Sequence, residues 1–140
     1  MGFAAVSGKP AGYSGTPLIR KLGIRPGMRL QIVDAPATFG ATLGPLPDVR
    51  QATRGSLDFA MVFVTARSRL EREFPRLMKR LEPDGMLWVS WPKKAAKVTT
   101  DLDESAVRHF GLGEGLVDVK ICAVDEVWSG LKFVRRVRDR

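Results

Sequence analysis

Two near-continuous apolar runs dominate the hydrophobic pattern of this chain. They are Asp58-Phe-Ala-Met-Val-Phe-Val64 and Met86-Leu-Trp-Val-Ser-Trp91. Neither alternates strictly, and runs of this length without alternation predict strands covered on both faces, as in a parallel sheet with helices on each side. A shorter apolar segment at Arg29–Val33 predicts a third strand, with Asp34 at its carboxyl end. Near the C-terminus, Val117, Val119, Ile121 and Ala123 alternate with polar residues and predict a strand over Leu116–Val124. A last strand is read over Val127–Arg138, turning at Ser129-Gly130. These two lie too close together for a crossover helix, so they are expected to pair antiparallel.

The helical signals fall between the strands. Thr16 before Pro17 has N-cap and first-turn chemistry, and Gly23 ends a short helix over Pro17–Leu22. Pro26-Gly27 reads as a turn, and Ala35–Gly44 as a loop or partial helix. No element is assigned firmly from Pro45 to Leu57, where a short helix or edge strand near Val49 is the expectation. Leu70, Phe74, Leu77, Met78 and Leu81 repeat at helical spacing, and Ser68 with Glu71 has capping-box spacing. Pro75 inside that pattern should kink or divide the helix. Asp84-Gly85 reads as a tight turn with positive φ at the glycine. Asp101, with Glu104 three residues on, starts another helix that Gly111 and Gly113 end. The expected architecture is α/β: a three-layer, Rossmann-like, mostly parallel sheet with a C-terminal antiparallel strand pair. Residues 1–15 read as a flexible lead-in and 16–140 as one domain.

Composition narrows the classes. The 140 residues suffice for one domain with a real core. No apolar run approaches the roughly 20 residues of a membrane span, and Met1–Gly15 lacks a signal-peptide pattern. Cys122 is the one cysteine, so an internal disulfide is excluded, and a cytoplasmic location is expected. With one His and one Cys, a His/Cys metal site within the chain is not expected. His109 reads as a partly exposed structural residue, and Cys122 as a small buried filler. The net charge of +8, from 23 basic and 15 acidic residues, points toward anionic partners.

In a doubly wound sheet, four loops meet at the carboxyl edge, where ligands bind. They present Asp34 and Pro36; Thr65, Arg67 and Ser68; Pro92, Lys93 and Lys94; and Asp125, Glu126, Trp128 and Ser129. Lys93 and Lys94 suit a phosphate or carboxylate, the plain alternative being two solvated lysines. Trp128 either stacks on a flat ligand or packs over the sheet edge. A salt bridge from Asp125 or Glu126 to Lys93 or Arg67 is expected rather than a catalytic carboxylate pair. No GxxxxGK[ST] or GxGxxG loop is present, and no complete catalytic motif is found. A small anionic or nucleotide-like ligand, or a protein partner, is expected at this edge. Nucleic acid is the weaker alternative, and no membrane is involved.

Leu81-Glu-Pro-Asp-Gly85 before the buried strand, followed by a helix and a terminal antiparallel pair, is similar to the second half of class I methyltransferases. That resemblance covers about residues 28–137 and implies S-adenosylmethionine as cofactor. The loop Asp34-Ala-Pro-Ala-Thr-Phe-Gly40 departs from the family's glycine-rich loop. No second acidic residue for the ribose is identifiable between Asp34 and Asp58. The cofactor is therefore disfavoured. A closer likeness is to the bacterial domain of unknown function 3052. It is carried by Tyr13-Ser-Gly-Thr-Pro-Leu18, Lys21-Leu-Gly-Ile24, Pro26-Gly-Met28, Trp88-Val89, Trp91-Pro-Lys-Lys94, Thr100-Asp101, Val117-Asp-Val-Lys120, Cys122-Ala-Val-Asp-Glu126 and Trp128-Ser-Gly-Leu-Lys-Phe133. This resemblance implies no catalytic residues.

Overall fold

The computed structural model describes residues 16–140. The expected lead-in at 1–15 lies outside them. The elements are α1 (Leu18–Leu22), β1 (Arg29–Val33), α2 (Phe39–Leu43), β2 (Arg50–Gln51), β3 (Leu57–Phe63), α3 (Arg67–Met78), β4 (Leu81–Pro92), α4 (Glu104–Glu114), β5 (Leu116–Ala123) and β6 (Trp128–Arg135). They form one six-stranded sheet in the order β2-β1-β3-β4-β6-β5. β2, β1, β3 and β4 run parallel, and β6 pairs antiparallel with both β4 and β5. The chain reverses its direction of travel across the sheet between β1 and β3, which makes that gap the topological switch point.

Alternation along β4 separates two cores. Leu87, Val89 and Trp91 pack with Leu70, Phe74, Leu77 and Val107 of α3 and α4. Met86 and Trp88 pack with Leu22, Phe39 and Leu43 of α1 and α2. Burial on both faces is what the near-continuous apolar runs predict. Trp88 is fully buried, and its indole N–H donates to the Leu22 carbonyl at 2.8 Å, which ties α1 to the sheet centre.

Several local expectations are corrected. Pro17, not Thr16, is the N-cap of α1, and no side chain caps it. α3 runs through Pro75 as one helix and starts after Ala66 with no cap from its own side chains. Its cap is non-local: the Arg67 amide donates to Asp101 Oδ1 at 2.8 Å. Asp101 therefore does not start α4. Asp103 does, accepting from the Ala106 amide at 2.8 Å. Asp101 has Glu104 three residues on, which is why it reads in the sequence as the helix start that Asp103 holds.

α4 continues through Gly111 and Gly113 to a left-handed C-cap at Gly115. Gly111 is needed for packing, because a Cβ there would enter the Phe133 ring. Gly85 likewise is not a positive-φ turn residue. Residues between Leu81 and Met86 bulge out of register with β3, and a Cβ at Gly85 would come within 3.0 Å of the Leu57 carbonyl oxygen. Close backbone approach selects the glycine here. The last turn lies between β5 and β6 at Val124–Val127, not at Ser129-Gly130, which are inside β6. β5 shifts register between Asp118 and Lys120, which breaks the expected alternation and leaves Val119 (54%) and Ile121 (46%) exposed. Near Val49, the edge-strand expectation is met by β2. Among the described residues, no helix is long and apolar enough to cross a membrane.

Candidate functional site

The loops after β1, β3 and β4 and the β5–β6 turn emerge at one edge of the sheet. Backbone hydrogen bonds hold them in register: the Val64 amide donates to the Ser90 carbonyl at 2.9 Å, and the Lys93 amide to the Val127 carbonyl at 2.7 Å. Pro92, buried at the end of β4, lies opposite Trp128 at the start of β6. The strand ends thus bring Lys93 and Trp128 close together. Lys93 is half-buried and Lys94 exposed; neither forms an ion pair among the described residues.

Asp34 leaves β1 with φ 59°, a left-handed conformation uncommon outside glycine and asparagine. Its exposed carboxylate meets Arg69 of α3 at 3.2 Å. Pro36 is half-buried, and its carbonyl accepts from the Phe39 amide at 2.9 Å as α2 begins. That turn places Phe39 edge-on to Phe63, the last residue of β3, with ring centroids 4.9 Å apart. Phe63 in turn meets Trp128 edge-on at 5.1 Å. The result is a row of three aromatic rings across the switch point, on the α1/α2 face. Trp128 packs on the sheet edge and stays half-buried.

Ser90 belongs to the same face. It is fully buried, and its hydroxyl has no hydrogen-bond partner. Its register neighbours are Phe63 on β3 and Gly130 on β6. An unpaired buried hydroxyl is unfavourable, so its place beside the aromatic row marks this end of β4.

Other predicted site residues have structural work or lie elsewhere. Asp125 Oδ1 accepts from the Val127 and Trp128 amides, each at 2.8 Å, and so forms the turn. The expected salt bridge from Asp125 or Glu126 to Lys93 or Arg67 is not formed among the described residues; Arg67 pairs with Glu71 at 3.0 Å and lies over the Phe110 ring. The Arg67 guanidinium is therefore drawn toward α4, away from the aromatic row. Thr65 is exposed and offers its carbonyl to the Thr100 hydroxyl at 2.6 Å. Ser68 is exposed in the first turn of α3. Ser129 is opposite Trp91 across the strand pair, so it shares Trp91's face and not that of Trp128.

Sequence reasoning missed Arg69, Phe39, Phe63 and Ser90. The first three carried no motif, and Ser90 was read only as the polar member of a buried run. His109 is exposed on α4. Cys122, expected as a small buried filler, is half-buried and packs against the α1/α2 core; burial pushes its thiol up, although Lys21 and Lys120 nearby pull it down. No group of three or more His, Cys, Asp or Glu able to hold a metal exists among the described residues. At the opposite, amino edge, a shallow depression of about 240 Å³ is lined by Arg25, Gly27, Asp58 and Asp84. Asp58 there is already committed to Arg29 at 3.1 Å.

The residues do not reproduce the adenosyl grip that the methyltransferase resemblance implies. Arg69 neutralises Asp34, and Phe39 folds the first loop onto Phe63. β2 ends at Gln51 and is followed by Ala52, Thr53 and Arg54, with no carboxylate for a ribose.

No family model matches the chain, and no curated protein matches it. Solved structures do. The chain is similar to a ribosomal protein L11 methylase from Lactobacillus delbrueckii subsp. bulgaricus (TM-score 0.54, 14% identity, 85% of this chain and 75% of that one). It is also similar to a putative methyltransferase from Thermoplasma acidophilum (TM-score 0.56, 9% identity, 87% and 75%). A third is magnesium protoporphyrin IX methyltransferase from Synechocystis PCC 6803 with bound SAH (TM-score 0.55, 11% identity, 85% and 78%). The fold of this chain is the Rossmann-like fold of the methyltransferases.

Proposed function

We propose that this chain is a diverged protein of methyltransferase fold that binds a small anionic or nucleotide-like ligand at the carboxyl edge of the sheet. Trp128 offers the flat surface, and Lys93 and Lys94 offer the charge. The observation carrying this reading is the junction of β4 with the β5–β6 turn. There the Lys93 amide bonds to Val127, and a half-buried Trp128 continues the aromatic row beside the unpartnered Ser90 hydroxyl. An aromatic surface, adjacent cations and a buried polar group are the elements of a small-ligand site. Membership of the domain of unknown function 3052 family is part of this proposal.

A second reading is a diverged S-adenosylmethionine-dependent methyltransferase. It is favoured by the solved structures, one of which holds SAH over a fold matching 85% of this chain. It requires that Asp34 leave Arg69 and that the loop to Phe39 reshape.

A thermal melt separates the readings, because a ligand at 100 times its Kd adds about 2.7 kcal/mol of stability. A rise with adenosine diphosphate but not with S-adenosylhomocysteine, lost in Trp128→Ala, supports the first. A rise with S-adenosylhomocysteine, lost in Asp34→Ala, supports the second. No rise with either contradicts both.

A further inference from the structure

Four cations meet on the α1/α2 face, away from the carboxyl edge. Lys120 of β5 and Lys132 of β6 are directly opposite in register. Like charges directly opposite across an antiparallel pair are unfavourable. Lys120 Nζ donates to the Lys21 carbonyl at 2.8 Å, and Lys21 Nζ to the Ala123 carbonyl at 3.3 Å, so α1 is strapped to β5 by two lysines. Arg25, in the loop after α1, is near enough to act on Lys132, and it also lines the amino-edge depression with Asp58 and Asp84. Lys132 is partly buried, and its ammonium is pushed down first by burial and then by Lys120 and Arg25.

None of these four forms an ion pair with a carboxylate among the described residues. Residues 1–15 contain no Asp or Glu that could supply one. Arg29, Arg67, Arg69, Arg76 and Arg108 each have a carboxylate within 4 Å. Three separate elements deliver the charges to one place: α1 with its following loop, β5 and β6. Directed donors to backbone carbonyls hold two of them there.

We propose that Lys21, Arg25, Lys120 and Lys132 form a binding site for a phosphate group, either free or in a nucleic-acid backbone. A bound phosphate removes the repulsion between Lys120 and Lys132 and accepts hydrogen bonds from ammonium and guanidinium donors. This site is distinct from the Lys93/Lys94 edge and does not rest on the function proposed above.

The test uses the full chain, with pyrophosphate compared with chloride at equal ionic strength in a thermal melt, alongside binding of a single-stranded oligonucleotide. Pyrophosphate is expected to raise Tm above the chloride control. Lys132→Gln and Lys120→Gln should each weaken binding about tenfold, a change of about 1.4 kcal/mol. Lys79→Gln, an exposed lysine at the end of α3, should leave it unchanged. Both variants remove a like-charge contact; Lys120→Gln also loses the bond to the Lys21 carbonyl, so Lys132→Gln is the cleaner variant, and both are expected to keep the wild-type circular dichroism spectrum. Oligonucleotide binding with steep salt dependence, lost in Lys132→Gln, assigns the phosphate to a nucleic-acid backbone. A pyrophosphate response alone assigns it to a free ligand. If neither probe binds, or binding is the same in wild type and both folded variants, the proposal is overturned.

Discussion

On the α3/α4 face, charge is matched to charge. Arg108 reaches Asp118 and Glu104, both at 2.8 Å, Arg67 pairs with Glu71, and Arg76 with Glu73. The core beneath is closed by Phe74, whose ring meets Phe110 and Phe133 edge-on, each at 5.4 Å. On the α1/α2 face, Lys21, Lys120 and Lys132 form no ion pair among the described residues. There a buried serine hydroxyl lacks a partner, and an aromatic row reaches the rim at Trp128. The first arrangement satisfies itself and reads as structure. The second leaves polar and cationic groups unmatched, and such groups are where ligands bind.

Four substitutions sharpen or break this contrast. The largest effect is expected from Phe74→Ala, which empties a fully buried aromatic site on the α3/α4 face. It should cost about 3–5 kcal/mol in urea denaturation, without a specific effect on ligand affinity in the fraction that folds. Gly111→Ala comes next, because its methyl group must displace the Phe133 ring. A loss of about 1–3 kcal/mol is expected by the same measurement. Asp101→Ala removes the distant cap on α3 and should cost about 1 kcal/mol. If it costs nothing, the non-local cap is not stabilising. Ser90→Ala is expected to be neutral or stabilising by up to about 1 kcal/mol, since the hydroxyl has nothing to lose. The same variant should weaken ligand binding. Marked destabilisation would instead show that Ser90 serves the fold.

Acid offers a test of the matched pairs. Arg108 beside Asp118 and Arg29 beside Asp58 hold both carboxyls below their ordinary value. A lowered folded-state pKa contributes stability that is complete above the unfolded value near ~4 and is lost as pH falls through the folded value. Asp118→Asn should therefore lower stability at neutral pH, and its deficit should shrink as pH falls below about 4. A deficit independent of pH would assign the loss to packing instead.

The two buried strands and the antiparallel pair were legible because burial on both faces writes itself as unbroken apolar sequence. Helix existence was legible from the Leu70–Phe74–Leu77 spacing. What was not legible depended on distant partners. Asp101 caps a helix 34 positions away, and Gly85 and Gly111 are glycines because of a carbonyl and a ring that the local sequence does not contain. The bulge that exposes Val119 and Ile121 interrupts an alternation that looked regular. At the candidate site, loop membership was readable from the strand ends, so Lys93 and Trp128 were found together. Orientation was not: Arg67 turns to Phe110, Asp125 is spent on its own turn, and Arg69 holds Asp34 from α3.

The most direct test uses the three tryptophans as fixed reporters. Trp88 and Trp91 are buried, and Trp128 is half-buried at the carboxyl edge. In a ¹⁵N–¹H titration of the full chain with adenosine diphosphate, the Trp128 indole signal and the Lys93 and Lys94 amides should shift saturably. The Trp88 indole, held on the Leu22 carbonyl, should not. Saturable shifts confined to other regions, or none at all, would contradict the placement of the ligand site at this edge.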